Sequence, residues 1–340
     1  MSTPALRLPP RYRVRSLTAD DAAAWHELLE ESERTDGASA NFYPEEFLDA
    51  ALDGRIDPVT DSVGVFEDGA LAGFAVVHAK LTSNGAHRVI LEGGVAPGHR
   101  RRGIGTQLMR WSCGRARERQ AALSSGRRSS AIVWSPEQNA DLRSLAEAQG
   151  FQSTRWWYEV SCQLDEVSAL EIPELPPGFT LRTLRPADMA GLREVHNVSF
   201  KGQWEDGAVS PEQWQQDFEN DPLFQPGLSY LVLDPTGAIV SYVLTQTNEW
   251  KSDGSTQREL RINYLGTPPG WRGRGFFRHL TAAVDQAARR EKYDHLGFTV
   301  DSGNPTGALK VFERAGMFDW DRDYWECWVC YTSAPDGAAA

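Results

Sequence analysis

The sequence has few of the features that mark a secreted, a membrane-bound or a nucleic-acid-binding protein. Its 340 residues include four cysteines, too few for a disulfide framework. No stretch approaches the roughly 18 uninterrupted apolar residues of a transmembrane helix, and the N-terminal segment lacks the apolar core of a signal peptide. Acidic residues outnumber basic ones by 47 to 35, and the net charge of -12 disfavours binding to nucleic acid. We therefore expect a cytoplasmic protein that contacts neither membrane nor nucleic acid.

The two cysteines nearest in sequence, Cys327 and Cys330, form a C-x-x-C pair, a spacing that also occurs in redox and zinc sites. They lie in "DYWECWVCY", an aromatic, alternating run that is typical of a β-strand. Residues three apart on a strand face opposite sides of the sheet, so we interpret both as sheet cysteines. A zinc site lacks a second pair of ligands here, and we expect no metal.

What the sequence does contain is an internal repeat. The segment "YRVRSLTADDAAAWHEL" at 12–28 is echoed by "FTLRTLRPADMAGLREV" at 179–195. The segment "VAPGHRRRGIGTQL" at 95–108 is echoed by "GTPPGWRGRGFFRHL" at 266–280. Further echoes, such as "RWWYE" and "RDYWE" near the end of each copy, extend the repeat over nearly the whole chain.

The repeat divides the chain into two similar domains. A proline-rich stretch at 171–179 is typical of a linker, so we expect domains at 1–170 and 180–333, with 334–340 as a disordered tail. In each copy the patterns predict a strand, helices and a hairpin, then a strand, a turn and a helix, and finally a strand, a helix and a strand. This order predicts a mixed α/β fold with a central β-sheet flanked by helices.

The turn before the long helix is the most informative segment of each copy. In "GHRRRGIG" three arginines run into two glycines, and Arg272 and Gly275 of the second copy match Arg100 and Gly103 of the first. The N–H groups of a helix's first turn are unpaired, the helix dipole is positive there, and glycines let a ligand approach the backbone. The turn therefore predicts a phosphate site, the other interpretation being a solvated basic loop.

The signature Arg-x-x-Gly-x-Gly after a strand resembles that of the GNAT N-acetyltransferase superfamily. Arg100, Gly103 and Gly105 match it fully, whereas Phe277 of the second copy stands where glycine or alanine is usual. With both copies in register, the chain is similar to the two-domain GNAT proteins of actinobacteria, the group that includes mycothiol synthase. The resemblance implies two tandem GNAT acyl-CoA N-acyltransferase domains, with acetyl-CoA or another acyl-CoA as co-substrate.

The resemblance also implies which residues hold the coenzyme. In the family the turn binds the pyrophosphate, and the pantetheine runs along the central strand, where a backbone N–H polarises the thioester carbonyl. A later asparagine, which is equally suited to cap a helix, is a further candidate. The implied residues are Gly93, Gly94, Val95, Arg100, Arg101, Arg102, Gly103, Ile104, Gly105, Thr106, Leu265, Gly266, Thr267, Arg272, Gly273, Arg274, Gly275, Phe276, Phe277, Arg278, Asn304 and Phe312.

Several residues are candidates for the proton transfers. Glu92, on the central strand of the first copy, is either a general base or a salt-bridged strand carboxylate. Tyr264 stands at the matching place in the second copy, with Glu259 nearby; it orients a water, donates a proton or only packs. Many family members use a tyrosine as the acid, but Ala146 and Phe312 occupy those positions here. The leaving thiolate would then be protonated by water or by another residue.

The acceptor is expected to bind between the first helix and the hairpin of a copy. In the second copy this segment carries Trp204, Glu205 and Trp214, whose charge and aromatic faces suit a cationic amine. An amphipathic helix that packs its tryptophans on the sheet is the other interpretation. The segment of the first copy is shorter but also acidic.

These observations predict an acyltransferase that moves an acetyl group from acetyl-CoA to the amine of a small molecule, directly, within a ternary complex. The protein is expected to be a monomer or a homodimer. The second copy is expected to catalyse, with the first binding coenzyme A. One rival is a non-catalytic coenzyme-A-binding sensor, which the missing tyrosines favour. Another is a transferase that uses aminoacyl-tRNA as donor, which the net charge of -12 disfavours.

Overall fold

The structure is a computed structural model that describes residues 3–36, 42–52, 54–81, 87–123, 129–137, 139–201, 208–252, 254–303, 310 and 321–331. The strands are β1 (Tyr12–Arg15), β2 (Ser62–Glu67), β3 (Ala70–Leu81), β4 (His87–Val95), β5 (Ser129–Pro136), β6 (Gln152–Gln163), β7 (Thr180–Thr183), β8 (Tyr230–Leu233), β9 (Ile239–Ser252), β10 (Ser255–Gly266), β11 (His295–Asp301) and β12 (Asp321–Tyr331). The helices are α1 (Ala22–Asp36), α2 (Pro44–Leu52), α3 (Pro58–Asp61), α4 (Ile104–Leu123), α5 (Ala140–Ala148), α6 (Met189–Ser199), α7 (Pro211–Trp214) and α8 (Phe276–Arg290).

The chain forms two compact units, Met1–Trp156 with Tyr324–Ala340, and Trp157–Asp323. The strand order is β1-β2-β3-β4-β5-β12 in the first unit and β7-β8-β9-β10-β11-β6 in the second. Across each sheet the first four strands pair antiparallel, and the fourth strand then pairs parallel with the fifth. The parallel pair is β4 with β5 in the first unit and β10 with β11 in the second. The sixth strand then pairs antiparallel with the fifth. The expected mixed α/β fold, with helices flanking a central sheet, is confirmed.

The sixth strand of each sheet comes from the other sequence repeat. β6 ends the first repeat but pairs with β11, and β12 ends the second repeat but pairs with β5. The segment after β6 lies along α8: the Leu170 N–H donates to Asp285 over 2.8 Å, and His279 donates to the Glu174 carbonyl over 3.2 Å. Repeats and structural units therefore differ in composition, and the domain boundary at 171–179 stays a prediction.

Helices cover both faces of each sheet because the strand side chains alternate between two apolar clusters. In the first unit Val89 packs with Leu108 beneath α4, while Phe74 packs with Trp25 of α1 at a ring-centroid distance of 4.4 Å. In the second unit α8 covers one face, and α6 and α7 cover the other. The candidate site lies beside the parallel strand pair, between the helices that cover the two faces of the sheet.

Two further expectations concern the whole chain. Cys327 and Cys330 both lie on β12, and Cys327 is fully buried. Among the helices of the described ranges, none has the length and hydrophobicity needed to cross a bilayer.

Candidate active site

The parallel strand pair of each unit separates partway along its length. β4 pairs with β5 only from His87 to Ile90, and both strands then continue without pairing to each other. β10 pairs with β11 only from Glu259 to Ile262. Beyond these points the facing edges of the described strands leave backbone N–H and C=O groups outside the ladder. An extended ligand that offers hydrogen-bonding groups can take that place, as an added strand would.

The two central strands differ at the point of separation. β10 shifts register against β9 between Ile262 and Tyr264, which is a β-bulge. β4 keeps its register with β3 and carries Gly93 and Gly94 there. A Cβ on Gly93 would lie 2.8 Å from the Phe74 carbonyl oxygen, and a Cβ on Gly94 would lie 3.0 Å from the Phe74 ring. At the point where the parallel pair separates, the first unit therefore has glycines that let β3 and β4 lie close together. The second unit has a bulge at the corresponding point.

The glycine-rich turn has the same backbone conformation in both units. Two left-handed residues follow a short 3₁₀ turn: Arg101 (φ 60°) and Gly103 (φ 82°) in the first unit, Gly273 (φ 77°) and Gly275 (φ 80°) in the second. The next residue begins α4 or α8. The space where a Cβ on Gly103 or Gly275 would stand is open to 4 Å. Both helices thus present an open N-terminus, the geometry that binds a phosphate group.

Not every arginine of the first turn faces the solvent. Arg100 donates two hydrogen bonds to Asp36 at the end of α1, over 2.6 and 2.7 Å, and its Nε donates to the Val95 carbonyl over 3.1 Å. This bonding raises the pKa of Arg100 and ties the helix end to the strand end. Arg101 pairs with Asp141 over 2.9 Å, but their side chains are 81% and 63% exposed. Because exposed pairs contribute little, the Arg101 guanidinium can exchange Asp141 for an anion.

The first arginine of the second turn has the same structural role. The Arg272 Nε donates to the Thr267 carbonyl over 3.0 Å, and a terminal nitrogen donates to the Ser199 carbonyl at the end of α6 over 2.8 Å. Phe277, which departs from the family pattern, packs against the core cluster beneath α8. Arg274 lies over the Trp271 ring, 4.6 Å from its centroid. The second turn therefore keeps the shape of the first although its sequence differs.

A cavity of about 770 Å³ connects the turn of the first unit to the gap between β4 and β5. It brings together eight of the residues that the sequence implied for the coenzyme, namely Gly93, Gly94, Val95, Arg100, Arg101, Gly103, Gly105 and Thr106. Arg102 points instead to Tyr12, 3.5 Å away, and Ile104 is buried in the core beneath α4. The lining also includes residues that the sequence did not single out, among them Asp36, Trp134 and Asn139.

Glu92 lies in the cavity wall and is largely buried. Its Oε1 is 3.7 Å from Nε2 of His78 on β3, and the two side chains are 11% and 17% exposed. Glu46 of α2 lies close enough for the charge of Glu92 to act on it: burial, and to a lesser degree Glu92, raises the pKa of Glu46. The structure thus places two carboxylates and a histidine together, although they come from three separate elements.

In the second unit the place that matches Glu92 holds an aromatic cluster. The Tyr264 ring lies 4.9 Å from His196 and 5.8 Å from Phe218 between centroids. His196 hydrogen-bonds the Tyr242 hydroxyl over 2.7 Å, and burial lowers the pKa of His196 to about 4, so the imidazole is neutral at pH 7. Trp214 is 2% exposed and lies 5.1 Å from His196. Trp214, expected at the acceptor, is therefore part of this buried cluster.

Glu259 belongs to a network of charges rather than to the gap. It is 3% exposed, accepts from the Ser161 hydroxyl over 2.9 Å, and pairs with Arg261 over 3.1 Å. Arg261 also donates to Glu159 over 3.0 Å and to Thr299 over 2.6 Å. The network joins β6, β10 and β11 below the point where β10 and β11 separate.

The remaining candidates fall into two groups. On β10 and after it, Gly266 packs against the Tyr242 ring, and the Thr267 hydroxyl is 2.7 Å from that of Ser241. Leu265, Phe276 and Gly275 continue this segment into α8, Phe276 being 2% exposed. The second group lies outside the described residues and consists of Trp204, Glu205, Asn304 and Phe312.

The chain is similar to one protein family and to several named proteins. The acetyltransferase (GNAT) family matches it twice, over residues 22–151 and 189–317. A relative from Saccharopolyspora erythraea, named mycothiol acetyltransferase, is 28% identical over 308 residues, which are 87% of this chain and 98% of the relative. A mycothiol acetyltransferase of Nocardia farcinica is 28% identical over 305 residues, 84% of this chain and 93% of the relative.

Solved structures with a similar fold include a GCN5-related N-acetyltransferase from Sphaerobacter thermophilus. It is 24% identical, with a TM-score of 0.72 over 96% of this chain and 97% of that one. A tandem GNAT protein from the clavulanic acid biosynthesis pathway is 17% identical, with a TM-score of 0.65 over 96% of this chain and 100% of that one. At these identities the similarity shows a shared fold.

Proposed function

Because the chain belongs to the acetyltransferase (GNAT) family, we propose that it moves the acetyl group of acetyl-CoA to the amine of a small molecule within a ternary complex. The family makes the chain an N-acetyltransferase with acetyl-CoA as donor. The observation that carries the proposal is the cavity of the first unit, where an open glycine turn, a gap between parallel strands and a buried carboxylate meet.

The donor is proposed to lie along this cavity. The N–H groups at the start of α4 would bind the pyrophosphate, since Gly103 leaves them open and Arg101 supplies an exposed cation beside them. The pantetheine would then run between β4 and β5. A backbone N–H near Gly93 would stabilise the negative charge that develops on the thioester oxygen. The matching segment of the second unit, from Leu265 to Arg278, would form a second donor site.

The transfer itself needs an uncharged amine. Its nitrogen attacks the thioester carbonyl carbon, the carbon–sulfur bond breaks, and coenzyme A leaves as a thiolate that takes up a proton. Ala146, at one expected acid position, carries no hydroxyl, so water is proposed to protonate the thiolate in the first unit. The relatives named mycothiol acetyltransferase make a mycothiol-type amine the first acceptor to assay.

Release of free thiol from acetyl-CoA, measured across a panel of amines, tests the proposal. Thiol release should depend on an amine and should yield the acetylated amine by mass spectrometry. Gly103→Glu and Gly275→Glu, each introducing a negative charge at a proposed pyrophosphate site, show which unit supplies the donor. An intact protein that binds acetyl-CoA and acetylates no amine in the panel would refute the function.

A further inference from the structure

Part of the wall of the cavity in the first unit is apolar. Leu28, Phe42 and Phe74 line it and are 3%, 8% and 2% exposed. Phe42 stacks on the His78 ring, with 5.3 Å between centroids and an interplanar angle of 18°. These groups offer no hydrogen bond, so a hydroxyl-rich ligand would lose its water there without replacement.

Glu92 and His78 form a polar break in this wall, and they are not bonded to each other. The 3.7 Å between Glu92 Oε1 and His78 Nε2 exceeds a hydrogen bond. Within the described ranges His78 Nε2 is enclosed and has no hydrogen-bond partner. A buried polar group left in this way destabilises a protein unless a ligand or a water satisfies it.

The charges around Glu92 favour a cation as that ligand. Glu46 faces it from α2 and accepts from the Tyr43 N–H over 2.8 Å, and burial raises the pKa of Glu46. Glu33 lines the cavity from α1 and accepts from the Tyr43 hydroxyl over 2.8 Å. Carboxylates that lie near one another repel each other when they are ionised, and a positive group between them removes that repulsion.

The second unit has no matching carboxylate among its described residues. Tyr264 stands at the position of Glu92, and its neighbours are the rings of His196, Phe200 and Phe218. His196 is neutral at pH 7 because burial lowers its pKa. Within the described ranges the carboxylate at this place on the central strand therefore belongs to the first unit.

We propose that the first unit is a transfer centre in its own right, whose acceptor is a compact primary amine with an apolar body, bound with its ammonium group at Glu92 beside His78. The proposal rests on the proposed function, because the acetyl end of the donor must enter the same cavity. The donor would fill part of the cavity of about 770 Å³, and the acceptor would take the part next to Glu92.

The reaction balances with the groups at hand. The ammonium gives one proton to Glu92, and the resulting amine attacks the thioester carbon. The amide nitrogen loses a second proton as the carbon–sulfur bond breaks, and the leaving thiolate takes up one proton. Glu92 returns its proton to water, so one ammonium and one acetyl-CoA yield one amide, one coenzyme A thiol and one proton. His78 and Glu46 are positioning residues, which act through the charge and orientation of Glu92.

Steady-state thiol release with 2-phenylethylamine and with glucosamine tests the acceptor class. The wild type should favour 2-phenylethylamine in kcat/KM by about tenfold or more. Glu92→Gln, which keeps the shape of the side chain, should lower kcat/KM for 2-phenylethylamine by about 100-fold and leave acetyl-CoA binding unchanged by calorimetry. Glu92→Asp, a second variant, should retain more activity than Glu92→Gln. Glu45→Gln is the matched control, because Glu45 is an exposed carboxylate next to Glu46 in sequence.

The positioning role has its own readout. His78→Gln should move the rising limb of the rate–pH profile, which a merely structural defect would not do. A Glu92→Gln enzyme within threefold of wild type, or a preference for glucosamine, would overturn the inference. The inference would also be overturned if the Tyr264→Phe variant lost transfer while the Glu92→Gln variant stayed active. That result would place the chemistry in the second unit. A wild type that binds acetyl-CoA but acetylates no amine would instead refute the proposed function.

Discussion

Arg101 is a non-glycine residue in a left-handed conformation, with φ 60°, inside the turn proposed to bind the pyrophosphate. An L-residue with a side chain is strained there by about 1–2 kcal/mol. Gly273 holds the matching position of the second unit with φ 77° and has no such strain. Strain at one position of a conserved shape indicates a functional reason for the side chain. The reason proposed here is the binding of the pyrophosphate by the exposed guanidinium beside the helix N-terminus.

Replacing Arg101 with glycine should therefore have two opposite effects. Relief of the strain stabilises the folded state. The greater freedom of glycine in the unfolded chain cancels about 0.4–1 kcal/mol of that gain. The lost pair with Asp141 contributes little because both side chains are exposed. The free energy of unfolding should rise by about 0.5 kcal/mol. Loss of one cation beside the pyrophosphate should weaken acetyl-CoA binding in the first unit by about 1 kcal/mol, or fivefold.

Urea unfolding measures the first effect and calorimetric titration with acetyl-CoA measures the second. Gly273→Arg is the reciprocal control, and it should lower the free energy of unfolding by a similar amount. A destabilised Arg101→Gly protein would show that the left-handed position is not strained. Unchanged acetyl-CoA affinity in a stabilised protein would show that the guanidinium does not serve the donor.

Three further predictions follow from the fold and the site. Gly103→Glu should remove acetyl-CoA binding from the first unit, because the side chain and its charge occupy the anion's place; calorimetry with unchanged stoichiometry and affinity would contradict the assignment. The free energy of unfolding should fall by about 2 kcal/mol from pH 7.5 to pH 5, because unfolded His196, with a pKa of about 6.5, binds a proton that the folded imidazole, with a pKa of about 4, does not. Urea titrations should show that this loss disappears in the double variant His196→Leu, Tyr242→Phe, which copies the matching residues of the first unit. A chain that ends at residue 170 lacks β12, so size-exclusion chromatography should find it associated or unfolded; a cooperative monomer would argue against the exchange of strands.

The local features of the site could be predicted from the sequence. The turn at 98–105 depends on glycines and on a helix start, both of which act over a few residues, and its left-handed Gly103 is where the pattern placed it. The alternation of β4 indicates in the same way that Glu92 faces away from α4. These predictions hold because backbone conformation and side-chain direction are set by neighbours in sequence.

Partners that are distant in sequence could not be predicted. Arg100 lines the cavity as expected for a coenzyme residue, but its bonds to Asp36, 64 residues away, carry no signal in the sequence. His78 and Glu46 come to Glu92 from other elements and carry no motif of their own. Such contacts depend on how helices and strands pack, which periodicity does not encode.

The sequence by itself determined the two copies, the mixed α/β class and the glycine turns, because each rests on a pattern that repeats within the chain. Only the tertiary structure decided which sheet each sixth strand completes. The two strands have similar sequences, "RWWYE" in β6 and "RDYWE" in β12, so either matches the pairing pattern of either sheet. Packing decided the pairing of β6 with β11 and of β12 with β5, because strand partners are chosen by the surfaces that the whole chain brings together.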